Sequence, residues 1–178
     1  MVAFTGRNAE GSALFLGQPG QLTRAISQGA PTSNGPLTYL SNGRPSLASD
    51  GSAAIEGASR ERAMILGVRA GEPFVVVSEG DRVKGEHRLS GLADPTEINS
   101  GRLFVEAADE NQRNGAYSFS FSAHGDLGGA MLLSREIEVF PSSLTLAPTG
   151  RYTFLSLSRQ GNRGSAATPV VSDDATSL

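Results

Sequence analysis

Two acidic residues stand at matching places in successive segments of this chain: Glu56 follows Ala53-Ala54-Ile55, and Glu106 follows Leu103-Phe104-Val105. Two carboxyl groups roughly 5 to 9 Å apart are the minimum apparatus for glycoside hydrolysis, one serving as acid and the other as base or nucleophile. Elsewhere the corresponding positions hold Thr5 and Leu155, which favours residues of the segment's own architecture, facing solvent or a central channel, over a catalytic pair. The histidines, His87 and His124, fall in separate polar stretches, where a solvated loop histidine is simpler than a metal ligand or triad member. The run Asp109-Glu110-Asn111-Gln112-Arg113-Asn114-Gly115 offers several oxygen donors on a short segment, as calcium requires. Arg113 occupies what would be the third ligand position and no Glu closes the loop, so a hairpin turn closed by Asn114-Gly115 is favoured. Tyr117, Phe119 and Phe121 alternate at period two, as do Tyr152 and Phe154. Such a row could stack sugars or bases, but one strand face packed in a core explains it more simply.

No phosphate-binding glycine loop, nucleophile elbow or H-E-x-x-H motif occurs, and the glycines end apolar runs. The chain has 0 Cys, which excludes disulfides, thiolate metal sites and cysteine nucleophiles. The sequence therefore assigns no catalytic, cofactor-binding or metal-binding residue. Its 15 basic residues are scattered and the net charge is -3, against the concentrated Lys and Arg that nucleic acid or an anionic membrane surface demands. No run approaches the roughly 18 apolar residues of a membrane-spanning helix. The start, MVAFTGRNAEGSALFLG, lacks the basic beginning and apolar stretch of a signal peptide. An exported protein would thus be in mature form, or would leave its host by lysis as part of a virion.

The elements that must position these residues are short. With 22 Gly and 9 Pro in 178 residues, the chain is turn-rich beyond the roughly 12% average, leaving little room for long helices. Pro45 to Gly67 reads as a hairpin entered by an Asp50-Gly51 turn, with apolar runs Ala53–Ile55 and Ala63–Leu66 separated by polar Ser59 to Arg62. Residues 2–29 form a three-stranded meander: Val2-Ala3-Phe4, Ala13 to Gly17 and Leu22 to Ser27, with a Gln18-Pro19-Gly20 turn. Residues 29–46 form a loop with one short strand at Leu37–Leu40. Ala53 answers Val2 at 51 residues, Ala63 answers Ala13 at 50, and Val77 answers Ile26 at 51. A third copy starts at Gly101 and includes Ala116–Ser122 and Ala130–Ser134, and a fourth starts near Leu146 and Tyr152.

The expectation is an all-β fold: antiparallel meanders in about 3.5 repeats of roughly 50 residues, propeller-like, partial or completed by an oligomer. A β-sandwich or an open β-repeat array is the alternative. Residues 1–160 form one repeat domain and 161–178 a polar C-terminal tail or arm, with Val170-Val171 able to pair as a last edge strand. The first unit lacks a leading strand like the one around Leu47 and the last has one at Ser143–Ala147, so closure within the chain or exchange between chains would complete the set.

Val2-Ala3-Phe4, Ser49-Asp50-Gly51-Ser52-Ala53-Ala54-Ile55 and the ALFLG and AMILG runs resemble exported bacterial proteins with tandem repeats of about 50 residues built on an N-D-x-G-x-V-A-F signature. The resemblance covers roughly residues 1–120 and implies a surface or extracellular role with no assigned catalytic residues. Its leading Asn-Asp survives only as Asp50, and no C-terminal anchor follows. The function expected is a non-catalytic β-repeat module that binds another protein or assembles with itself, extracellular or virion-associated, without cofactor. Alternatives are a phage capsid-decoration or tail component, and a glycan-active propeller enzyme using Glu56 and Glu106.

Overall fold

The computed structural model describes residues 1–83, 87–99, 101–112, 114–123, 130–131, 137–139, 145–146, 152–159 and 165–172, and among them there is no helix. The first sheet is the meander β1 (Val2–Asn8), β2 (Gly11–Gln18) and β3 (Gln21–Ser27). A ribbon of β4 (Pro31–Thr32) and β5 (Gly35–Pro36) leads to the second sheet. There β6 (Tyr39–Leu40) and β7 (Ser46–Leu47) both pair with β8 (Ala53–Ala58), followed by β9 (Ala63–Arg69) and β10 (Glu72–Ser78). The third sheet orders β11 (Arg82–Val83), β12 (His87–Asn99), β13 (Arg102–Asp109), β14 (Asn114–Ser120) and β15 (Ala130–Met131). In the fourth, β16 (Ile137–Val139), β17 (Thr145–Leu146) and β19 (Ser165–Ser172) pair with β18 (Tyr152–Arg159). Every pairing is antiparallel.

The hairpin at Asp50-Gly51 forms as its residues dictate. Gly51 takes φ +86°, which a side chain disfavours, the Asp50 carboxylate accepts the Ser52 N–H at 2.9 Å, and Leu47 lands opposite Ala53. The backbone bond from Ser52 holds the Asp50 carboxyl below the usual carboxylate range.

Between the first and second sheets the same details recur 51 residues apart. The bulged residue is Ala25 in β3 and Val76 in β10. Gly20 and Gly71 turn at φ +85° and +86°. The Gln28 carboxamide oxygen accepts the Ser12 N–H at 3.3 Å, and the Glu79 carboxylate accepts the Ala63 N–H at 3.1 Å. In this register Leu14 corresponds to Ile65, so the 50-residue match of ALFLG to AMILG is one residue out. A slip of one flips every side chain to the other face, and burial decides between the two alignments.

Leu14 and Ile26 of the first sheet pack on Ala53, Ile55, Leu66 and Val68 of the second. Ala54, Ile65, Val76 and Val77, on the second sheet's other face, pack on Leu103, Val105, Phe119 and Phe121 of the third. The second sheet is thus buried on both faces, which is why AMILGV and FVVV are continuous apolar runs instead of alternating ones. In the third sheet, β14 alternates in residue type. Tyr117, Phe119 and Phe121 point into the core, while Ser118 on the opposite face accepts from the Arg102 Nε at 2.6 Å.

Two expectations need correction. Residues 87–99 form one long strand, so His87 lies in β12, opposite Val83, and not in a loop. Gly91, Pro95 and three register breaks disguise it, because each interrupts the alternation that marks a strand. Asn114-Gly115 begins β14 and is not the turn; the chain reverses at Asp109–Gln112, with Gln112 at φ +59°. The edge strand expected at Val170-Val171 does form: Ser165–Ser172 pairs with β18 and sets Val170 and Val171 opposite Phe154 and Thr153.

Candidate functional site

Strand parity separates the two candidate carboxylates. Glu56 shares the face of Ala54, which looks onto the third sheet, whereas Glu106 shares the face of Phe104, turned away from the second sheet. The third sheet lies between those faces, so the residues occupy equivalent places in successive layers and line no common cleft. Each is partly buried on its own sheet face. Glu106 is nevertheless chemically unusual. Its carboxyl is pushed up to about 7 by burial, and its Oε1 has no hydrogen-bond partner among the described residues.

Asp109, the first residue of the calcium-like run, is fully buried and spends its carboxylate on the turn, accepting the Asn111 N–H at 2.8 Å. Ser90 donates its hydroxyl to the Asp109 carbonyl. Asn8 and Ser59 make the same side-chain bond to Glu10 and Glu61 at the corresponding turns, which identifies a turn cap. Among the described residues, no group of three acidic, histidine or cysteine side chains could hold a metal ion. His124 lies outside the described residues. The Tyr117, Phe119 and Phe121 row is core, exposed by 2% or less.

The surface that stands out is the outer face of the first sheet. Its cross-strand rows are Val2, Gly17 and Leu22, then Phe4, Phe15 and Arg24, then Gly6, Ala13 and Ser27. Val2, Phe4 and Leu22 are 41%, 41% and 47% exposed. Phe4 stacks on Phe15 with ring centroids 5.4 Å apart, supported from beneath by Gly6, where a Cβ would come within 3.1 Å of the Phe15 ring. At the far end the apolar rows give way to a hollow of about 360 Å³ lined by Arg7, Asn8, Glu10, Arg24 and Gln28, with Arg24 3.7 Å from Glu10. An apolar centre with a polar, charged margin is the anatomy of a protein contact surface.

Sequence reading took Val2, Phe4 and Leu22 only as strand residues. The signal that finds them is the 51-residue correspondence. Ile55, Leu66 and Val75, the counterparts of Phe4, Phe15 and Arg24, form a row that the first sheet covers. In the first sheet the same kind of row has nothing over it among the described residues. Compared with known proteins, the chain matches no family model, and no curated protein or solved structure matches it.

Proposed function

We propose that this chain is a non-catalytic β-repeat module of units about 51 residues long, stacked like propeller blades, whose function is to bind protein by assembling with copies of itself. In this reading each unit offers one face to the unit before it and the other to the unit after it. The first sheet, whose outer face no other sheet covers among the described residues, keeps its receiving face open, and it takes the last sheet of the next copy. The observation that carries the reading is the exposure of Val2, Phe4 and Leu22 beside Phe15, on the face whose counterpart in the second sheet lies buried under its neighbour. Repeat arrays need a polar outer face on an uncovered unit to stay separate, and the outer face of the first sheet exposes Val2, Phe4 and Leu22.

The geometry is heterologous, with one surface meeting a different surface, so assembly gives a ring when the rotation closes and a filament when it does not. A ring of blades shared between copies accommodates the propeller expectation, since among the described residues no strand of the first sheet packs extensively on one of the fourth. The test is solution mass by light scattering over a hundredfold concentration range. The unaltered chain should form multimers, and the double variant Phe4→Ser, Leu22→Ser should be monomeric with an unchanged circular dichroism spectrum. A monomer at all concentrations would refute the proposal.

A further inference from the structure

Among the described residues the first sheet is open at one edge as well as on one face. In the other three sheets the strand that leads the meander has an antiparallel neighbour on its outer side: β7 beside β8, β12 beside β13 and β17 beside β18. Each neighbour sets an aliphatic residue opposite the same position. Leu47 faces Ala53, Ile98 faces Leu103, and Leu146 faces Tyr152. In the second sheet the outer chain also donates to the leading strand's carbonyls, the Ser41 N–H to Glu56 at 3.0 Å and the Thr38 N–H to Ala58 at 2.8 Å. The corresponding positions on β1 are Thr5 and Arg7, and among the described residues β1 pairs with β2 alone.

Antiparallel strands direct N–H and C=O of alternate residues to the same side. Val2, Phe4, Gly6 and Asn8 turn theirs toward β2, as their counterparts Ala53, Ile55, Gly57 and Ser59 turn theirs toward the β9 side, where the Ser59 N–H donates to the Arg62 carbonyl at 2.9 Å. Ala3, Thr5 and Arg7 therefore present theirs outward. Folded proteins blunt such edges with prolines, bulges or inward charges. The opposite edges obey this rule, with a bulge at Ala25 in β3 and both Pro73 and a bulge at Val76 in β10. β1 has neither bulge nor proline, and its register with β2 runs unbroken from Val2 to Asn8.

We infer that the outer edge of β1 is a strand-acceptor site, which binds an extended segment of a partner polypeptide running antiparallel to β1 with Leu or Ile opposite Val2. The main chain of Ala3, Thr5 and Arg7 provides the hydrogen bonds, and the aliphatic residue, seated as Leu47 and Ile98 are seated, sets the register. This site lies on the edge and not on the face, so it stands independently of the assembly proposed above.

The probe is a fluorescently labelled peptide copying residues 87–99, the outer strand of the third sheet, titrated into the full chain and followed by anisotropy. Saturable binding is expected, weakened at least tenfold by Ile98→Asp in the peptide. Thr5→Pro in the chain removes an outward N–H where an edge strand tolerates proline, and should abolish binding with the thermal transition retained. Arg7→Pro, nearer the strand end, serves the same purpose should Thr5→Pro not fold. The Phe4→Ser, Leu22→Ser variant should still bind the peptide, which separates failure of this site from failure of face-to-face assembly. The inference is overturned by absent binding, by binding that survives both proline variants, or by a β1-dependent dimer that takes no peptide, since the edge would then pair with its own copy.

Discussion

Gly67→Ala puts one methyl group where the second and third sheets meet, and its cost follows from three distances. A Cβ at this buried position would lie 2.6 Å from Cε2 and Cζ of Phe74 and 2.9 Å from Cε2 of Phe121. The backbone there is ordinary, so the cost comes from contact alone. Phe74 and Phe121 form an edge-to-face pair with centroids 5.1 Å apart, and Arg69 pins the second ring from above, 5.2 Å from its centroid, while donating to the Phe121 carbonyl at 2.7 Å. Phe121 is 2% exposed and has no room to retreat, whereas half-buried Phe74 can swing outward. Overpacking of this kind costs about 1 to 3 kcal/mol, and the escape route through Phe74 places the value near the middle, about 2 kcal/mol. Urea unfolding should show the midpoint falling with an unchanged slope. Phe74→Leu should recover at least half of the loss when combined with Gly67→Ala, because the two changes share one contact. A loss below about 0.5 kcal/mol, or strict additivity of the pair, would refute the packing argument.

Other consequences are more local. The folded chain holds the Glu106 proton to higher pH than the unfolded chain, so that contribution is complete below 4.5 and is lost as pH rises through about 7. After discounting for its half exposure we expect about 1 kcal/mol less stability at pH 8 than at pH 5, a slope absent from Glu106→Gln; parallel pH profiles would contradict this. Asp109→Ala should cost about 1 to 2 kcal/mol, since it strips a buried turn of its cap, while Asn8→Ala, which removes the same bond in the open, should cost well under 1 kcal/mol; equal losses in thermal melts would argue against burial as the cause. Ala70 sits at φ +51° before Gly71, a conformation costly for a residue with a Cβ, and Ala70→Gly should stabilise by about 0.5 to 1 kcal/mol, measurable as a raised urea midpoint.

Strand chemistry made much of the fold legible. Asp50-Gly51 announced its hairpin, and the short apolar runs ended by glycine gave β1 to β3 and β8 to β10, because those segments are regular and their turns local. The strand β12 was hidden because Gly91 and Pro95 break the period by which a strand is recognised, and its position is fixed by the long partner β13. The turn before β14 was misplaced because Asn114-Gly115 is the stronger local signal, while the buried cap at Asp109 reveals itself only through tertiary packing. Glu56 and Glu106 read as equivalent along the sequence, but the layer separating them depends on which face each strand turns to its neighbour. The exposed residues Val2, Phe4 and Leu22 could not be singled out, because apolar strand residues look alike until one knows which sheet face is left uncovered among the described residues.

Because the chain has 0 Cys, single cysteines can report the proposed contact directly. Phe4→Cys marks the receiving face of the first sheet. Leu155→Cys marks the opposite parity to Tyr152 and Phe154 on β18, the position that corresponds to Glu106 in β13. Mild oxidation of the two variants, singly and mixed, is the decisive measurement. Head-to-tail assembly predicts a disulfide-linked dimer in the mixture and none in either variant alone. Cross-linking of the Phe4→Cys variant with itself, or no cross-link in any sample, would contradict it.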